Sequence, residues 1–426
     1  MVGKLLAGLV VALGMLTGLG FVVKDVLLMT APLHTEEAPP SRAAAPPAAR
    51  WARAVEASRR LADTAVVDGN LPGVSVAVGV GGEIVWAEGV GWADLEQRIP
   101  MTPKTRFRIG TASTALTSAA VGLLLEDDRL TLDESIQTYV PQFPAKQAPV
   151  PVFDKLERRL LSQPVDTAAW PVTLRQVMGH VAGVRPDGGD EGPLFSVRCE
   201  RPVDALPYFA DRSLLFAPGT RYRFSSYGWI LVSAAVEAAA DEPFLAFMQR
   251  QIFEPLGMND TMADSATESI PERATFYFPR FGADPLYGQH LMRPLDYSCY
   301  AGASVFLSTP SDLVRFGLAI TGGRLLQPAT VQRLQTSQRL ASGQETGYGL
   351  GWDVEIVSLA GAPTRQAGHD GESLGGTVAS FMTFPDLGIV VAVTSNISYA
   401  QVAPLALAIA ETFARDAGAV DQRITR

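Results

Sequence analysis

Hydrophobic positions change their spacing along the first third of the chain. The pattern from about Ala52 to Asp68 predicts a helix. Two β-rich runs follow at residues 73–80 and 83–90, and a Gly-Gly turn separates them. Short β-rich runs around a tight turn are typical of a β-hairpin. The folded part of the chain is therefore predicted to begin with a helix and a hairpin.

The rest of the chain divides into a helical middle and a mixed end. From Thr111 to about Arg293 the pattern is mostly helical, and loops rich in Pro and Gly separate the elements. The later elements that the pattern predicts are strands near 350–357, 377–383 and 388–394 and a last helix from about 399 to 415. Strands at both ends with helices between them indicate an α/β chain of the α+β kind. One sheet would then combine distant segments, with a helical subdomain inserted.

An uncharged stretch precedes these elements. Residues 5–23 carry no charge, and Lys4 and Lys24 flank them. A helix of that length spans about 28 Å, enough to cross the hydrocarbon core of a bilayer. We favour an uncleaved membrane anchor, with a cleaved secretory signal and a buried soluble helix as the alternatives. The positively charged N-terminus, with Lys4, is expected to stay in the cytoplasm. The rest of the chain would then lie on the extracytoplasmic side, which is periplasmic in a bacterium.

Four parts make up the predicted organisation. They are an anchor or signal segment at 1–30, a Pro/Ala-rich linker at 31–50, a main domain at 51–416 and a tail at 417–426. In the main domain, residues 51–110 and 300–416 would form the sheet subdomain and residues 111–299 the helical one. Because a Pro- and Ala-rich segment cannot bury a core, we expect the linker to be a semi-extended tether.

Composition and charge exclude several classes of function. The net charge is −9 and no basic cluster occurs, so nucleic acid is not an expected partner. The four histidines are not paired at metal-ligand spacing, and the chain has only two cysteines. A dedicated zinc site is therefore not expected. We expect no metal and no cofactor.

Cys199 and Cys299 are a candidate disulfide pair. In an oxidising compartment one bridge would close a loop of about 100 residues, worth about 4 kcal/mol in the chain-entropy model. Sequence alone does not show whether their Cα atoms come within disulfide range. Two buried free thiols are the alternative.

The strongest chemical pattern is a helix start at residues 107–117, which leads into the apolar run 119–125. It predicts an extended segment entering a buried helix. Two hydroxyls, those of Thr111 and Thr114, lie three positions apart at its beginning. Thr side chains often cap a helix or line its first turn, and this is the simpler interpretation of both residues.

The same helix start resembles the Ser-x-x-Lys site of the serine β-lactamases and penicillin-binding proteins. The resemblance is to the class C β-lactamase-like family, which includes esterases and D-amino-acid peptidases, and it covers about residues 52–416. The further segments that carry it are Pro218-Gly219-Thr220, Phe253-Glu254-Pro255-Leu256-Gly257-Met258, Ser308-Thr309-Pro310-Ser311-Asp312-Leu313 and Tyr348-Gly349-Leu350-Gly351-Trp352. It implies the β-lactamase/transpeptidase-like fold, with an antiparallel sheet flanked by helices and an inserted helical subdomain.

The resemblance also implies catalytic positions. Thr111 occupies the place of the nucleophilic Ser, and Thr114 that of its Lys partner. Phe224 stands where the family has a Tyr that helps to move the proton. Ser225 and Ser226, next to it, are candidate ligand contacts.

A second group of positions belongs to the far wall of the implied cleft. His369 and Gly371 match a His-x-Gly motif, and His180 matches a buried structural position. In the family, the oxyanion hole uses the backbone N–H of the nucleophile and one just past that glycine, here near Glu372. We expect the carboxylates of Asp370 and Glu372 to make the wall acidic and unfavourable for a ligand carboxylate.

The departures from the family remove groups that handle protons. A hydroxyl is a poor nucleophile until a base accepts its proton. A Thr hydroxyl is not a base near neutral pH, and Phe224 has no proton to move. Among the lysines, Lys104 is up to about 23 Å from Thr111 along an extended path, and Lys146 and Lys155 lie in a Pro-rich connection. No lysine is an evident replacement.

Three hypotheses follow for the function. The leading one is a catalytically degenerate hydrolase that retains its cleft for a small molecule or peptide carrying a carbonyl. The second is an active esterase or peptidase that uses Thr111 with His369 as its base. The third is a structural, assembly-forming protein, because the resemblance extends to proteins that polymerise.

Overall fold

An eight-stranded antiparallel sheet organises the fold. The computed structural model describes residues 14, 17–18, 32–34, 39–146, 170–186, 192–373 and 375–424. The strands are β1 (Ser41–Ala43), β2 (Gly73–Val80), β3 (Glu83–Asp94), β4 (Ile99–Pro100), β5 (Phe107–Arg108), β6 (Met262–Ala263), β7 (Tyr277–Pro279), β8 (Gln289–Leu291), β9 (Phe306–Ser308), β10 (Asp353–Leu359), β11 (Ala362–Ser373), β12 (Thr377–Phe384) and β13 (Ile389–Ser395). The large sheet has the order β1-β3-β2-β13-β12-β11-β10, with β4 paired to β3.

Helices cover both faces of this sheet. They are α1 (Ala52–Asp68), α2 (Ser113–Glu126), α3 (Leu174–Met178), α4 (Ser226–Ala240), α5 (Phe244–Met248), α6 (Glu254–Leu256), α7 (Ala301–Ser304), α8 (Pro310–Thr321), α9 (Pro328–Leu334) and α10 (Val402–Ile424). Helices α1 and α10 pack on one face, while α8 packs on the other. Because both faces are covered, the central strands β2 and β13 are Val-rich and almost entirely buried.

The helical part lies between β5 and β9 in sequence. Helix α4 packs against α2, α3 and α7 there, and together they bury the larger of the hydrophobic cores. This region also contains the hairpin of β7 and β8, and β6 joins a small sheet of order β5-β9-β6. The prediction of a mostly helical middle therefore missed three short strands in this region, β6, β7 and β8.

Distant segments meet in the large sheet, as the pattern of strands at both ends predicts. The predicted helix 52–68 agrees with α1, and β2 pairs with β13 across more than 300 positions of sequence. The strand β11 was not predicted, because its residues 364–373 are polar and Gly-rich and lack the β-branched pattern of a strand. It is a strand because it pairs with β10 and β12 on its two sides. The last helix also continues to Ile424, so the predicted tail at 417–426 is helical over most of its length.

The predicted linker at 31–50 is not a free tether throughout. Its residues 41–43 form β1, which pairs with β3 at the edge of the sheet. The Leu33 N–H donates to Asn70 Oδ1 over 2.7 Å, and His34 Nε2 lies 2.9 Å from the Leu71 carbonyl oxygen. The expectation from composition was wrong here, because an extended segment can satisfy its backbone groups on an exposed strand edge without burying a core.

A buried carboxylate holds the same edge. The Glu88 side chain is 1% exposed and forms a salt bridge of 2.9 Å with Arg59. It also accepts hydrogen bonds from the Trp86 indole at 2.8 Å and from the Ser41 hydroxyl. Burial alone raises the pKa of Glu88, but the hydrogen bonds from Arg59, Ser41 and Trp86 outweigh burial and lower it. Strand β1 is therefore attached by a buried ionic group as well as by its backbone.

Cys199 and Cys299 form a disulfide, with their Cα atoms 4.8 Å apart. The bond joins two segments 100 positions apart in sequence within the helical part. It lies next to the 3-10 turns at residues 202–208 and 298–300.

The predicted anchor at residues 5–23 lies outside the described residues, except for Gly14, Thr17 and Gly18. Among the helices that the structure describes, none has the length and apolar character to cross a membrane. Within the same residues, no group of three or more His, Cys, Asp or Glu side chains is arranged to hold a metal ion.

Loss of the disulfide is expected to destabilise the domain. The variants Cys199→Ser and Cys299→Ser, or a reducing agent, should lower the free energy of unfolding by about 2–5 kcal/mol, because a long closed loop is opened in the unfolded chain. Denaturant unfolding with and without dithiothreitol measures this. The double variant Cys199→Ser/Cys299→Ser is the control and should not respond to dithiothreitol. A parent protein that also fails to respond would contradict the bond.

Candidate active site

The site begins where β5 leads into α2. A 3-10 turn, Gly110–Ala112, joins the two, and Thr111 is half-buried in this turn. Thr114 is completely buried in the first turn of α2. Helix α2 is buried along most of its length, as the sequence predicts. Neither the turn nor α2 has a side-chain cap, so neither threonine caps the helix, whereas Thr114 lines its first turn as that interpretation allows.

Strand β11 passes directly beside this turn because Gly371 has no side chain. A Cβ at this position would lie 1.8 Å from the Ile109 carbonyl oxygen and 3.0 Å from the Ala112 backbone nitrogen. Real Cβ atoms do not approach backbone so closely, so the position accepts only glycine. The backbone of β11 is thereby held against the residues that flank Thr111.

Two donors share one carbonyl at this contact. The Thr111 hydroxyl donates to the Asp370 carbonyl oxygen over 3.1 Å. His369 Nδ1 lies 2.6 Å from the same oxygen. The oxygen is available because β10 pairs with β11 only as far as Gly368, opposite Asp353. Beyond that point the edge of β11 faces the start of α2 instead of another strand.

This carbonyl fixes the tautomer of His369. A carbonyl oxygen only accepts hydrogen bonds, so Nδ1 must carry the proton and donate it. The lone pair of the neutral ring is then on Nε2, which lies 3.0 Å from the Tyr348 hydroxyl. Burial raises the pKa of Tyr348 well above its usual value and Asp353 adds to the rise, so the phenol keeps its proton and donates it to Nε2. His369 therefore presents an N–H, and not a lone pair, towards the Thr111 side.

Thr114, which the resemblance assigns to the position of the family's lysine, has no amine. The Thr114 hydroxyl is buried beside the Tyr348 phenol, whose pKa it lowers against the larger rise that burial causes. Lys146 is engaged elsewhere: its Nζ donates to the carbonyl oxygens of Ala210 and, over 3.1 Å, Arg212. Lys155 lies outside the described residues. Within the described part of the chain, the hydrogen bond of the Thr111 hydroxyl goes to a carbonyl oxygen and not to a basic nitrogen.

The start of α4 brings Phe224, Ser225 and Ser226 to the same region. The Phe224 ring lies 4.2 Å from the His180 ring and 6.1 Å from the His369 ring, centroid to centroid. The Ser225 hydroxyl accepts from the Gly228 N–H as the cap of α4 and donates to the Arg185 carbonyl over 2.8 Å. Its proton and one lone pair are therefore engaged within the protein, and its role as a ligand contact stays a prediction. Ser226 is the first residue of α4 and is 7% exposed, and its role as a ligand contact stays a prediction.

His180 is buried between these elements. Its Nδ1 faces the Ser225 N–H and its Nε2 faces the Trp229 indole N–H, each at 3.1 Å. Two N–H donors leave no acceptor for a doubly protonated ring, and a neutral ring accepts only one of them. Burial lowers the pKa of His180 well below 6.5, and His369 lowers it further. The ring is therefore neutral and serves as an acceptor in the core.

The acidic wall expected at Asp370 and Glu372 is not found at Asp370. Side chains alternate along a strand, so Asp370 shares the face of Ser380, its partner on β12. His369 is on the other face, where its partner Phe381 belongs to the core under α2 and α8. The Asp370 side chain is solvent-exposed, yet partial loss of hydration raises its pKa and Asp353 adds to the rise. The side chain of Glu372 is outside the described part of the structure, but its backbone continues β11 opposite Val378.

Tyr348 is a neighbour of the site that the sequence did not predict. The sequence indicates Tyr348 only as part of a family motif. In the structure its hydroxyl lies within hydrogen-bond distance of His369 Nε2, and its ring lies 4.8 Å from that of His180. The two partners are 21 positions apart in sequence, and no local periodicity connects them. The motif Tyr348-Gly349-Leu350-Gly351-Trp352 was the available signal, but it does not indicate which polar group the phenol meets.

The sheet, the buried helix start and the adjoining β11 edge are the framework of a serine β-lactamase or transpeptidase. The family model described as Beta-lactamase matches residues 49–414. The chain therefore belongs to the β-lactamase family, with serine hydrolases and penicillin-binding proteins among its relatives.

Particular relatives agree with this assignment. The chain is 27% identical to the mouse protein named serine beta-lactamase-like protein LACTB, mitochondrial, over 87% of this chain and 82% of that protein. Among solved structures, a hydrolase with promiscuous acyltransferase activity, EstCE1, superposes with a TM-score of 0.66 at 21% identity and covers 85% of this chain and 98% of its own. The octameric penicillin-binding protein homologue from Pyrococcus abyssi gives 0.65 at 22%, with 83% and 76% covered. At these identities the structural likenesses show the fold alone.

Burial of neutral His180 predicts a pH dependence of stability. Its folded pKa lies below the unfolded value of about 6.5, so the unfolded chain binds more protons as the pH falls below that value. The free energy of unfolding should therefore decrease between about pH 6.5 and 5, by up to about 1.4 kcal/mol per pH unit from this group. Unfolding curves across that range measure the slope.

His180→Asn should reduce this slope. Asparagine tolerates the positive φ of 57° at this position and does not titrate there. His290→Asn is the matched control, because it removes an exposed imidazole instead. Equal slopes for the parent protein and His180→Asn would contradict the assignment.

Proposed function

We propose that this protein is a catalytically degenerate member of the β-lactamase family that faces the extracytoplasmic side. In this proposal, the cleft at Thr111 is retained for binding a small molecule or peptide that carries a carbonyl group. Acyl transfer is arrested at its first step, the removal of the proton from the nucleophilic hydroxyl.

The shared Asp370 carbonyl is the observation that carries the proposal. The Thr111 proton is directed at an oxygen that cannot take it, and the nearby His369 directs its own N–H at the same oxygen. A hydroxyl reacts with a carbonyl only when a base accepts its proton, and such help is typically worth about 10²–10⁴ in rate. Both family groups that would provide this help are replaced, by Thr114 and Phe224.

The binding half of the machinery depends on backbone and not on these side chains. Backbone N–H groups that converge on one point bind a carbonyl oxygen whatever side chains they carry. The close approach of Gly371 to Ile109 supports a pair of such donors, from Thr111 and from the β11 backbone near Glu372. A carbonyl-bearing ligand would then be held without being cleaved.

The disulfide between Cys199 and Cys299 supports the extracytoplasmic location. Structural disulfides persist in oxidising compartments and are rare where thiols are kept reduced. Attachment by the segment at 5–23 remains a prediction from the sequence.

The second candidate function is an active acyl hydrolase that uses Thr111 with His369. The favourable observation is that both side chains converge on one oxygen, so they are close neighbours. For catalysis, however, His369 would have to turn a lone pair towards Thr111. That change would put the lone pair against the Asp370 carbonyl oxygen and leave the Tyr348 hydroxyl without its acceptor. The geometry therefore favours the degenerate form.

Reactive probes distinguish the two functions. The purified protein is incubated with a fluorophosphonate and, separately, with a penicillin, and its intact mass is then measured and any adduct mapped. We expect no adduct on Thr111, because its hydroxyl has no base. Thr111→Ala is the matched control. An adduct on Thr111 that disappears in this variant would establish the active hydrolase.

Restoring the missing groups should restore turnover. The triple variant Thr111→Ser/Thr114→Lys/Phe224→Tyr reintroduces the nucleophile, the amine and the phenol. We expect its hydrolysis of a p-nitrophenyl ester to exceed that of the parent protein by about 10²–10⁴. Phe224→Tyr alone is the control and should not gain activity. A folded triple variant with no gain, as judged by its unfolding midpoint, would contradict proton transfer as the defect.

A further inference from the structure

The loop between β7 and β8 carries a cluster of exposed apolar side chains. Phe281, Leu286 and Tyr287 are all exposed, and Phe281 is 63% exposed. The Phe281 and Tyr287 rings meet edge to face, with their centroids 5.7 Å apart. The Arg280 N–H donates to the Gly288 carbonyl oxygen over 3.1 Å and closes the loop. We call residues 280–288 the hairpin tip. Apolar side chains that cluster on a surface, unlike single ones, indicate an interaction site.

The hairpin tip and its flanks are poor in acidic residues, although the whole chain has a net charge of −9. Residues 278–295 contain one carboxylate, that of Asp284, which accepts from the Leu286 N–H over 3.0 Å as the cap of the turn. The basic residues Arg280 and Arg293 are exposed on its two sides. Rings and aliphatic side chains flanked by cations are typical of protein surfaces that lie among lipid headgroups.

The hairpin tip adjoins the place where the N-terminal segment meets the folded domain. The Asn70 side chain contacts both. Its Oδ1 accepts from the Leu33 N–H over 2.7 Å, and its Nδ2 lies 3.5 Å from the carbonyl oxygen of Pro285, which belongs to the tip. One amide group therefore joins Leu33 to the tip.

The length of the N-terminal sequence limits how the domain can face a membrane. Leu33 is nine positions after Lys24, which ends the uncharged run at 5–23. Nine residues span at most about 32 Å when they are fully extended. A globular domain of this size is roughly 50 Å across. If the run crosses a bilayer, as the sequence predicts, the side of the domain that carries Leu33 and the hairpin tip is therefore turned towards the lipid.

We propose that the hairpin tip inserts into the surface of a phospholipid bilayer on the extracytoplasmic side. Phe281, Leu286 and Tyr287 then lie at the level of the headgroups and the first part of the acyl chains. The proposal rests on the anchor and the location given under Proposed function. Insertion removes three apolar side chains from water. The tether keeps the tip close to the lipid, so even a weak contact is populated.

The size of the hairpin tip favours a bilayer over other occupants. A second copy of the chain would need an interface of about 20–30 residues a side for a stable dimer, whereas the tip offers three apolar side chains. The run at 5–23 is uncharged throughout, and it would leave most of its own apolar surface in water if it folded onto so small a tip. A bilayer requires no complementary shape and takes up both the run and the tip.

A fluorescent label at the hairpin tip tests the insertion in the full-length chain, reconstituted in vesicles of phosphatidylcholine and phosphatidylglycerol. Both native cysteines are in the disulfide, so an introduced cysteine is the sole free thiol. Ala283→Cys takes a nitrobenzoxadiazole label and leaves the apolar side chains unchanged. Ala360→Cys is the matched control, because both alanines are exposed and have a positive φ, of 53° and 50°. Ala360 precedes β11, whereas the hairpin adjoins the opposite end of the sheet, where Tyr277 bridges to Ile397.

The label at position 283 should shift its emission to the blue when vesicles are added and should be quenched by a lipid that carries a nitroxide near its headgroup. The label at position 360 should show neither change. Absence of quenching at 283, or equal quenching at both positions, would overturn the proposal. A blue-shifted label at 283 in the absence of vesicles would also overturn it, because protein would then cover the tip.

Charged substitutions test whether the apolar side chains cause the insertion. Phe281→Glu/Leu286→Glu, added to Ala283→Cys, should abolish the quenching, because carboxylates are poorly accommodated below the headgroups. Ile356→Glu is the matched control, at a residue that is 69% exposed on β10, and should retain it. Quenching that persists in the double glutamate variant would overturn the proposal. Flotation of the same vesicles reports the anchor separately, since a chain that floats with an unquenched tip keeps the anchor and lacks the insertion. None of these measurements depends on the chemistry at Thr111.

Discussion

A single backbone oxygen, the carbonyl of Asp370, determines what the candidate active site can do. It accepts from the Thr111 hydroxyl and from the His369 ring, and it does so because β10 ends before it and leaves the edge of β11 unpaired. A carbonyl oxygen accepts hydrogen bonds but does not take a proton, so the Thr111 hydroxyl and His369 Nδ1 both keep theirs. The arrangement depends in turn on Gly371, since any side chain there would push β11 away from the start of α2.

Aromatic rings pack together beside His369, one of the two donors to this oxygen. The rings of Phe224 and Tyr348 pack against the buried ring of His180, and Thr114 lies beside Tyr348. A dry, aromatic environment disfavours charge, so both histidine and phenol persist in their neutral forms. Thr114 and Phe224 suit these surroundings, because a hydroxyl and a ring carry no charge, whereas an ammonium group there would be poorly hydrated.

The sequence allowed much of the fold to be predicted, and less of the site. Helix α1 and the Val-rich central strands have strong local patterns, so their periodicity was sufficient. Strand β11 could not be predicted, because its polar, Gly-rich residues form a strand only by pairing with β10 and β12. Family motifs brought Thr111 and His369 into one site, but the tautomer of His369 depends on Tyr348 and on a backbone carbonyl. Partners so far apart in sequence cannot be recognised from local spacing. The sheet face of Asp370 could not be predicted either, because it depends on how β11 pairs with its neighbours.

The attachment of β1 has a consequence for whatever precedes it. A flexible chain of 20 residues would wander by roughly 25 Å about its point of origin. Contacts at Leu33 and His34, followed by pairing of Ser41–Ala43 along β3, remove most of that freedom. Leu33, His34 and Ser41–Ala43 are therefore each held at a fixed place on the globular body. Whatever precedes Leu33 in the chain is therefore joined to the molecule at that one place.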